Sequence, residues 1–224
     1  MPTSHRTTAL AIAGLLLLAG CAKAATATAP SPTDAVGRPS GSTTTSTDSP
    51  KPSKTQSPVP VESPVPVESS PPGDIPDNTQ FVPYRSKSGG FTVSVPEGWA
   101  RTTAQGSVSF TDKLNTIAVT WAPATSAPTV ASATSTEAPQ LRKTERAFKL
   151  GDVTSTSLPA GKAVLVSFQE NSAPNPVTGK QYRDDVLRYE LFNQGNEVLL
   201  PLTSPVGSDN VDPWRVVTQS LAWA

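Results

Sequence analysis

The sequence predicts an α+β domain, an antiparallel β-sheet with one mid-chain helix and one C-terminal helix packed on it. Three observations lead to this prediction. All the aromatic residues lie between Phe81 and Trp223, so only this part of the chain can build a large core. Within it, several runs alternate apolar and polar residues, which is typical of half-buried strands. Two further segments open with proline and carry apolar residues at helical spacing.

The strand pattern is clearest in "GGFTVSVPEGW", where Phe91, Val93 and Val95 point to one face and Pro96 ends the strand. The next runs, "SVSF" and "NTIAVTWA", predict a hairpin. The later strands are predicted in "DVTSTSLP", "KAVLVSFQE", "QYRDDVLRYELF" and "EVLLPL". The "NQGN" sequence between the last two indicates a tight turn.

The mid-chain helix is predicted over Pro139–Lys149, because proline suits the first helical position and Leu141 and Phe148 share a face. We expect the preceding stretch, Ala122–Glu137, to lack regular structure, since Pro123 and Pro128 interrupt it.

The C-terminal helix is predicted to open at Pro213 with Asp212 as its cap. Trp214, Val217 and Leu221 then form its buried stripe.

Composition divides the chain near residue 80. Residues 81–224 suffice for a single domain. Residues 21–80 hold 12 of the 24 prolines and no aromatic residue, which predicts a disordered, extended tether. The hexapeptide "SPVPVE" occurs twice in succession there, as Ser57–Glu62 and Ser63–Glu68. Alternatively, this proline-rich tract is a ligand for a groove-type domain.

Residues 1–20 have the features of a secretory signal, with a short basic region followed by the apolar run "ALAIAGLLLLAG". The run ends in Leu18-Ala19-Gly20-Cys21, which resembles the bacterial lipobox. That resemblance implies acylation of the Cys21 thiol and cleavage before it, giving a membrane-anchored lipoprotein. The alternative is an ordinary signal peptide with a chance cysteine. A redox role is disfavoured because the chain has no second cysteine.

The "GGFTVSVPEGW" strand, "LPAGKAV" before a central strand and the terminal "DPWRVVTQSLAW" resemble the Mog1/PsbP-like fold of actinobacterial lipoproteins. The resemblance extends over residues 81–224. It implies a docking or accessory domain, with some relatives handling envelope lipids, and it carries no catalytic residues over. The proline-broken Ala122–Glu137 departs from the pattern, since relatives have a longer helix there.

Catalytic motifs are missing from the sequence. The only histidine, His5, lies in the predicted signal peptide, so the mature chain has no histidine-based triad and no Cys/His zinc site. A nucleophile elbow, a P-loop and a dinucleotide fingerprint are also missing. We therefore predict that the protein is not an enzyme and needs no cofactor or metal.

Carboxylates are the remaining candidates for chemistry. Asp184 and Asp185 are adjacent on a strand, so they point to opposite faces and cannot act as an acid/base pair. Glu97, Glu170, Glu190 and Glu197 could meet as a glycosidase pair, although surface positions are the simpler interpretation. The "SDNVD" segment, Ser208–Asp212, lacks calcium-loop spacing and predicts a turn with a helix cap.

Arg142, Arg146 and Lys149 fall at i, i+4 and i+7 of the predicted helix and form one basic stripe. The stripe is a candidate face for an anionic partner, and the alternative is an ordinary solvated helix face.

These observations predict a monomeric, non-catalytic binding or docking domain, lipid-anchored at the outer face of the cell membrane and exposed outside the cytoplasm. The expected partners are the membrane itself, through Cys21, and an envelope protein or lipid. The formal net charge of zero gives no reason to expect nucleic acid. An envelope lipid or glycolipid carrier is the alternative, and a carboxylate-dependent glycan hydrolase is a more remote one.

Overall fold

The computed structural model describes residues 62–70 and 72–224. The predicted signal peptide, Cys21 and the first part of the predicted tether lie outside these residues. The described chain has an α+β fold with antiparallel sheets, as the sequence predicts. No helix in it is both long enough and apolar enough to cross a membrane.

The larger sheet has seven strands in the order β3-β4-β5-β9-β8-β7-β6, and all neighbours are antiparallel. Consecutive strands pair as hairpins at both ends, which follows from the short turn segments between the alternating runs. Its strands are β3 (Ala100–Ala104), β4 (Ser107–Asp112), β5 (Asn115–Pro123), β6 (Lys149–Leu158), β7 (Gly161–Asn171), β8 (Arg183–Asn193) and β9 (Asn196–Pro205).

A second, three-stranded sheet is formed by β1 (Phe81–Ser86), β2 (Phe91–Pro96) and β10 (Ala222–Trp223). The sequence predicts a single antiparallel sheet, and the structure divides its strands between two. The chain leaves β2 through Pro96 and through Gly98, whose φ of +80° favours glycine, and begins the larger sheet after this turn. The two sheets share one core, with β2 residues packed beside those of β4, β5 and β9.

The C-terminal helix α3 (Val211–Ser220) covers part of this core. Trp214, Val217 and Leu221 are all buried, which confirms the predicted stripe. The predicted cap is wrong: Asn210 occupies the N-cap position, and Asp212 instead forms an exposed ion pair with Arg215 at 3.0 Å.

The mid-chain helix begins earlier than predicted and covers the second half of the stretch expected to be irregular. It comprises α1 (Val130–Ser132), a π-helical turn (Ala133–Glu137) and α2 (Ala138–Thr144). Thr129 starts it with a capping box to Ser132. The π-helical turn explains how the helix passes Pro139, because its wider hydrogen-bond pattern reduces the clash that proline causes in a regular helix.

This helix ends at Thr144, and the next residue, Glu145, is already extended. Arg146 and Lys149 therefore do not share a helix face with Arg142, and the predicted basic stripe is wrong. Lys149 opens β6, and Phe148 packs on Phe168 of β7 with ring centroids 5.2 Å apart.

Ordered contacts extend to the N-terminal side of residue 81. Gly73 and Ile75 are buried. The backbone N–H of Ile75 donates to Asn210 Oδ1 at 2.8 Å, and Asn210 and Asn115 both donate to the Gly73 carbonyl. The average composition of residues 21–80 does not reveal a single anchoring apolar residue of this kind.

Candidate functional site

A groove of about 620 Å³ lies between helix α3 and strands β6, β7 and β8. The smaller sheet and α3 bury the β4, β5 and β9 side of the larger sheet. On the same face, the side chains of β7 and β8 remain only half-buried. The groove is therefore the part of this sheet face that the rest of the fold leaves uncovered.

The floor of the groove combines apolar and polar side chains. Leu187 and Tyr189 of β8 are half-buried in it, and Trp214 of α3 closes its other side. Burial raises the pKa of the Tyr189 hydroxyl, so this group stays a neutral hydrogen-bond donor at physiological pH. Among the described residues, no hydrogen bond to this hydroxyl is formed.

At one end of the floor, Gln169 Nε2 donates a hydrogen bond to Asp185 Oδ1 at 2.9 Å. The sequence places Asp184 and Asp185 on opposite faces, and the structure confirms it: Asp185 lines the groove, whereas Asp184 is buried and not among its lining residues. A carboxylate can accept further hydrogen bonds, so Asp185 can also receive a donor from a ligand.

The rim on the α3 side is exposed. Val211, the first residue of α3, is 74% exposed. Arg215, the partner of Asp212, also lies on this rim. The groove is therefore open to solvent, with an apolar edge beside a charged one.

A second group of interest surrounds Arg188 on β8. Arg188 Nη2 lies 3.1 Å from Oε2 of Glu137, which belongs to the π-helical turn. Arg188 Nε lies 3.0 Å from Oε1 of Glu190. Glu190 is completely buried. This burial, its contact with Glu137 and the charge of nearby Glu197 raise the pKa of Glu190 to about 8 despite Arg188. Burial and the charge of Glu137 also raise the pKa of Glu197.

A third group contains Glu170 and Asp184, which are direct cross-strand partners on β7 and β8. Burial raises the pKa of Glu170 to about 8, with Glu145 adding to the effect. Burial likewise raises the pKa of Asp184 to about 7, and the Asp185 charge contributes. Arg183, itself buried, opposes both shifts.

The four glutamates that the sequence offers as a carboxylate pair lie in three separate places. Glu190 and Glu197 do come together, but Glu170 belongs to another group and Glu97 lies on the turn after β2. Glu137 and Glu197 line a surface pocket of about 470 Å³, whereas Glu190 has no exposed surface with which to touch a substrate. No group of metal-ligating side chains is found in the described ranges.

The predicted basic residues are dispersed. Arg142 lies over the Phe148 ring at 5.5 Å, and Arg146 pairs with Glu62 of the chain itself. Lys149 lies at the β6 edge of the groove. Their suggested role toward an anionic partner stays a prediction, as does the acylation of Cys21.

The groove residues were not identified as a site from the sequence. The alternation of apolar and polar residues in β8 shows which side chains share a face. It does not show that α3 leaves the side chains on this face uncovered. Asn171, the buried last residue of β7, also has no sequence signal, because a lone asparagine at the end of a predicted strand is ordinary.

No protein-family model matches the chain, and no curated protein sequence does. Solved structures similar to it include the Ran-binding protein Mog1p of Saccharomyces cerevisiae, at 8% identity and a TM-score of 0.44, covering 65% of this chain and 96% of that one. PsbP (CyanoP) of Synechocystis has 14% identity and a TM-score of 0.43, covering 69% and 100%. LpqN of Mycobacterium tuberculosis, involved in cell envelope biogenesis, has 16% identity and a TM-score of 0.41, covering 65% and 91%. At TM-scores below 0.5 these similarities carry no argument about function.

Proposed function

We propose that this protein is a lipoprotein anchored to the outer face of the cytoplasmic membrane, and that its domain is a non-catalytic docking module for an envelope protein. The lipobox-like sequence ending at Cys21 supports the anchor. At least two acyl chains on the mature N-terminus would make the anchoring stable.

The groove between α3 and β6–β8 is the observation that carries the docking proposal. Its open rim, with Val211 exposed, and its mixed floor of Tyr189, Leu187 and Asp185 suit a protein segment. An apolar side chain of the partner would lie between Tyr189 and Trp214, and a backbone or cationic N–H would reach Asp185.

A lipid or glycolipid carrier is the second candidate, because the groove volume of about 620 Å³ falls in the range typical of small-molecule sites. An acyl chain would lie along Leu187 and Leu158, with its headgroup near Gln169 and Asp185.

One crosslinking experiment separates these candidates. A photo-crosslinking phenylalanine derivative replaces Tyr189 in the full chain, expressed in a bacterial host with a native-like envelope. The matched control carries the same group at Val177, which is 91% exposed on the loop between β7 and β8 and does not line the groove.

After irradiation, a protein adduct at position 189 but not at 177 is the result expected for docking. An added lipid mass at position 189 would instead establish the carrier. Equal crosslinking at the two positions, or none at 189, would overturn the proposal that the groove is a binding site.

A further inference from the structure

The segment Glu62–Glu68, here called the strap, lies on the domain although the sequence assigns it to the tether. It consists of the last residue of the first "SPVPVE" repeat followed by the whole second repeat. The strap has no helix or strand. Its contacts are with residues around the β7–β8 loop and with the segment that follows α2, and none of these residues lines the groove described above.

Asn171 at the end of β7 contacts the strap backbone from both sides of Pro64. Its Oδ1 accepts from the Val65 N–H at 3.0 Å, and its Nδ2 donates to the Ser63 carbonyl at 2.9 Å. With the strap in place Asn171 is only 2% exposed, and the strap supplies three of the hydrogen bonds of its side-chain amide. One buried amide thus binds an extended peptide much as a neighbouring strand would.

The Asn171 side chain is held in position from behind. Arg183, 4% exposed, donates from Nη1 to Asn171 Oδ1 at 3.1 Å and to the Ala147 carbonyl at 2.8 Å. The Asn171 backbone N–H donates to the Arg146 carbonyl. The fold therefore holds the backbone of Asn171 and its Oδ1, whereas both hydrogen bonds of Nδ2 go to the strap.

The two glutamates of the strap are bound separately at its ends. Glu62 accepts from Asn171 and Gln181 and pairs with Arg146 at 2.9 Å. These hydrogen bonds, with the Arg146 charge, lower the pKa of the Glu62 carboxyl. Glu68 pairs with Lys180 at 2.6 Å.

The spacing of these contacts matches the repeat. Six residues of polyproline-type chain span about 19 Å, so prolines hold the two carboxylates at a defined separation. Sliding the chain by one repeat would put Glu62 opposite Lys180 but would place Gln56, a neutral residue, where Glu62 lies. Sliding it the other way would put Glu68 and Asp74 at the two ends, but Asp74 accepts from the Asp209 N–H at 2.9 Å and its neighbour Ile75 is buried, which favours the observed register.

We propose that this face of the domain is a recognition site for an extended peptide of the form Glu-Ser-Pro-Val-Pro-Val-Glu, and that the strap is its resident ligand in the same chain. Asn171 binds the peptide backbone, Arg146 with Gln181 binds the first carboxylate, and Lys180 binds the second. The site is separate from the groove and does not depend on the function proposed for it.

The test uses the full chain and a fluorescently labelled synthetic peptide of residues 62–68. Charge reversal of both strap glutamates, Glu62→Lys with Glu68→Lys, is expected to release the strap and open the site. The wild-type strap competes at an effective concentration in the millimolar range, so peptide binding should be about tenfold or more stronger in the released variant. Glu97→Lys, a charge reversal on the turn after β2, is the matched control and should bind no more than wild type.

Adding Asn171→Ala to the released variant should abolish peptide binding, and so should Gln in place of both peptide glutamates. Gln181→Ala in the released variant should also weaken peptide binding. Because Gln181 is only half-buried, its replacement removes no buried group, so this variant tests the site even if the Asn171 variant misfolds. Hydrogen exchange of the Val65 amide gives an independent readout: it should be slow in wild type and fast in the released variant.

Failure of the released variant to bind more peptide than wild type would overturn the proposal. So would equally fast Val65 exchange in the two proteins. Neither result depends on the Tyr189 crosslink, so the groove and the strap site are tested separately.

Discussion

Arg188 Nε lies 3.0 Å from Glu190 Oε1, yet this ion pair does not keep Glu190 in its ordinary ionised state. The two atoms are close, but they are not aligned to form a hydrogen bond. Arg188 also forms an ion pair with Glu137. Glu190 is completely buried, so the cost of desolvating its charged form outweighs the attraction of one shared guanidinium.

The first prediction concerns stability against pH. The pKa values of Glu190 and Glu170 are raised to about 8 and that of Asp184 to about 7, so the folded protein holds protons that the unfolded chain releases near pH 4. The stabilisation from these groups is complete below about pH 4, falls as the pH rises above that value, and is fully lost once the pH has passed the folded pKa values of about 7 to 8. Urea unfolding should therefore give a lower free energy at pH 9 than at pH 6.

Glu190→Gln tests this assignment, because glutamine resembles the protonated acid but cannot ionise. The variant should lose less stability between pH 6 and pH 9 than wild type, by about 1–3 kcal/mol. Glu97→Gln, on the turn after β2, is the control and should follow the wild-type profile. Identical profiles for Glu190→Gln and wild type would contradict the prediction.

The second prediction concerns the packing of the C-terminal segment. Leu221, 1% exposed, lies in the core shared by the two sheets just after α3. Leu221→Ala should lower the free energy of unfolding by about 2–5 kcal/mol, because a buried side chain is lost and a cavity is left. Val216→Ala, on the exposed side of α3, should change it by less than about 0.5 kcal/mol.

Chemical denaturation of the two variants beside wild type measures the contrast. A similar loss in both variants would mean that the buried Leu221 side chain anchors the chain end no more than an exposed position of α3 does.

The local features of this fold could be predicted from the sequence. The alternation in "FTVSVP" and "KAVLVSFQE" identifies β2 and β7, and the Trp214 stripe identifies the buried face of α3. These signals depend only on the period of a strand or helix, which each segment carries by itself.

Features that depend on tertiary packing could not be predicted in this way. On β8, Val186 and Glu190 share a face that the mid-chain helix covers, so an acid is buried where alternation suggests a polar surface. The start of that helix was missed because Pro123 and Pro128 both precede its Thr129 cap and do not interrupt it. The groove and the strap site are formed by segments distant in sequence, and no local pattern encodes their approach.

The third prediction concerns the turn between β8 and β9. Gln194 and Gly195 both have positive φ, +47° and +84°, as a two-residue hairpin turn of type I′ requires. Asparagine adopts this conformation more readily than glutamine does, so Gln194→Asn should raise the free energy of unfolding by about 0.5 kcal/mol. Gly195→Ala should lower it by about 1 kcal/mol, because a Cβ is strained at that φ even though space is available.

Thermal and urea unfolding of both variants check this prediction. The opposite signs are the diagnostic result, since a general effect of changing the turn would move both variants in the same direction.

The last prediction concerns the proposed anchor at Cys21. Expressed as the full chain in a bacterium that processes lipoproteins, the wild-type protein should sediment with membranes and carry the mass of its acyl chains on the mature N-terminus. Cys21→Ser removes the thiol that would be acylated, so the variant should lose that mass and leave the membrane fraction. Ala22→Ser, one residue further on, is the matched control and should remain membrane-bound and acylated. Membrane association of Cys21→Ser equal to that of wild type would show that something other than a lipid on Cys21 retains the protein.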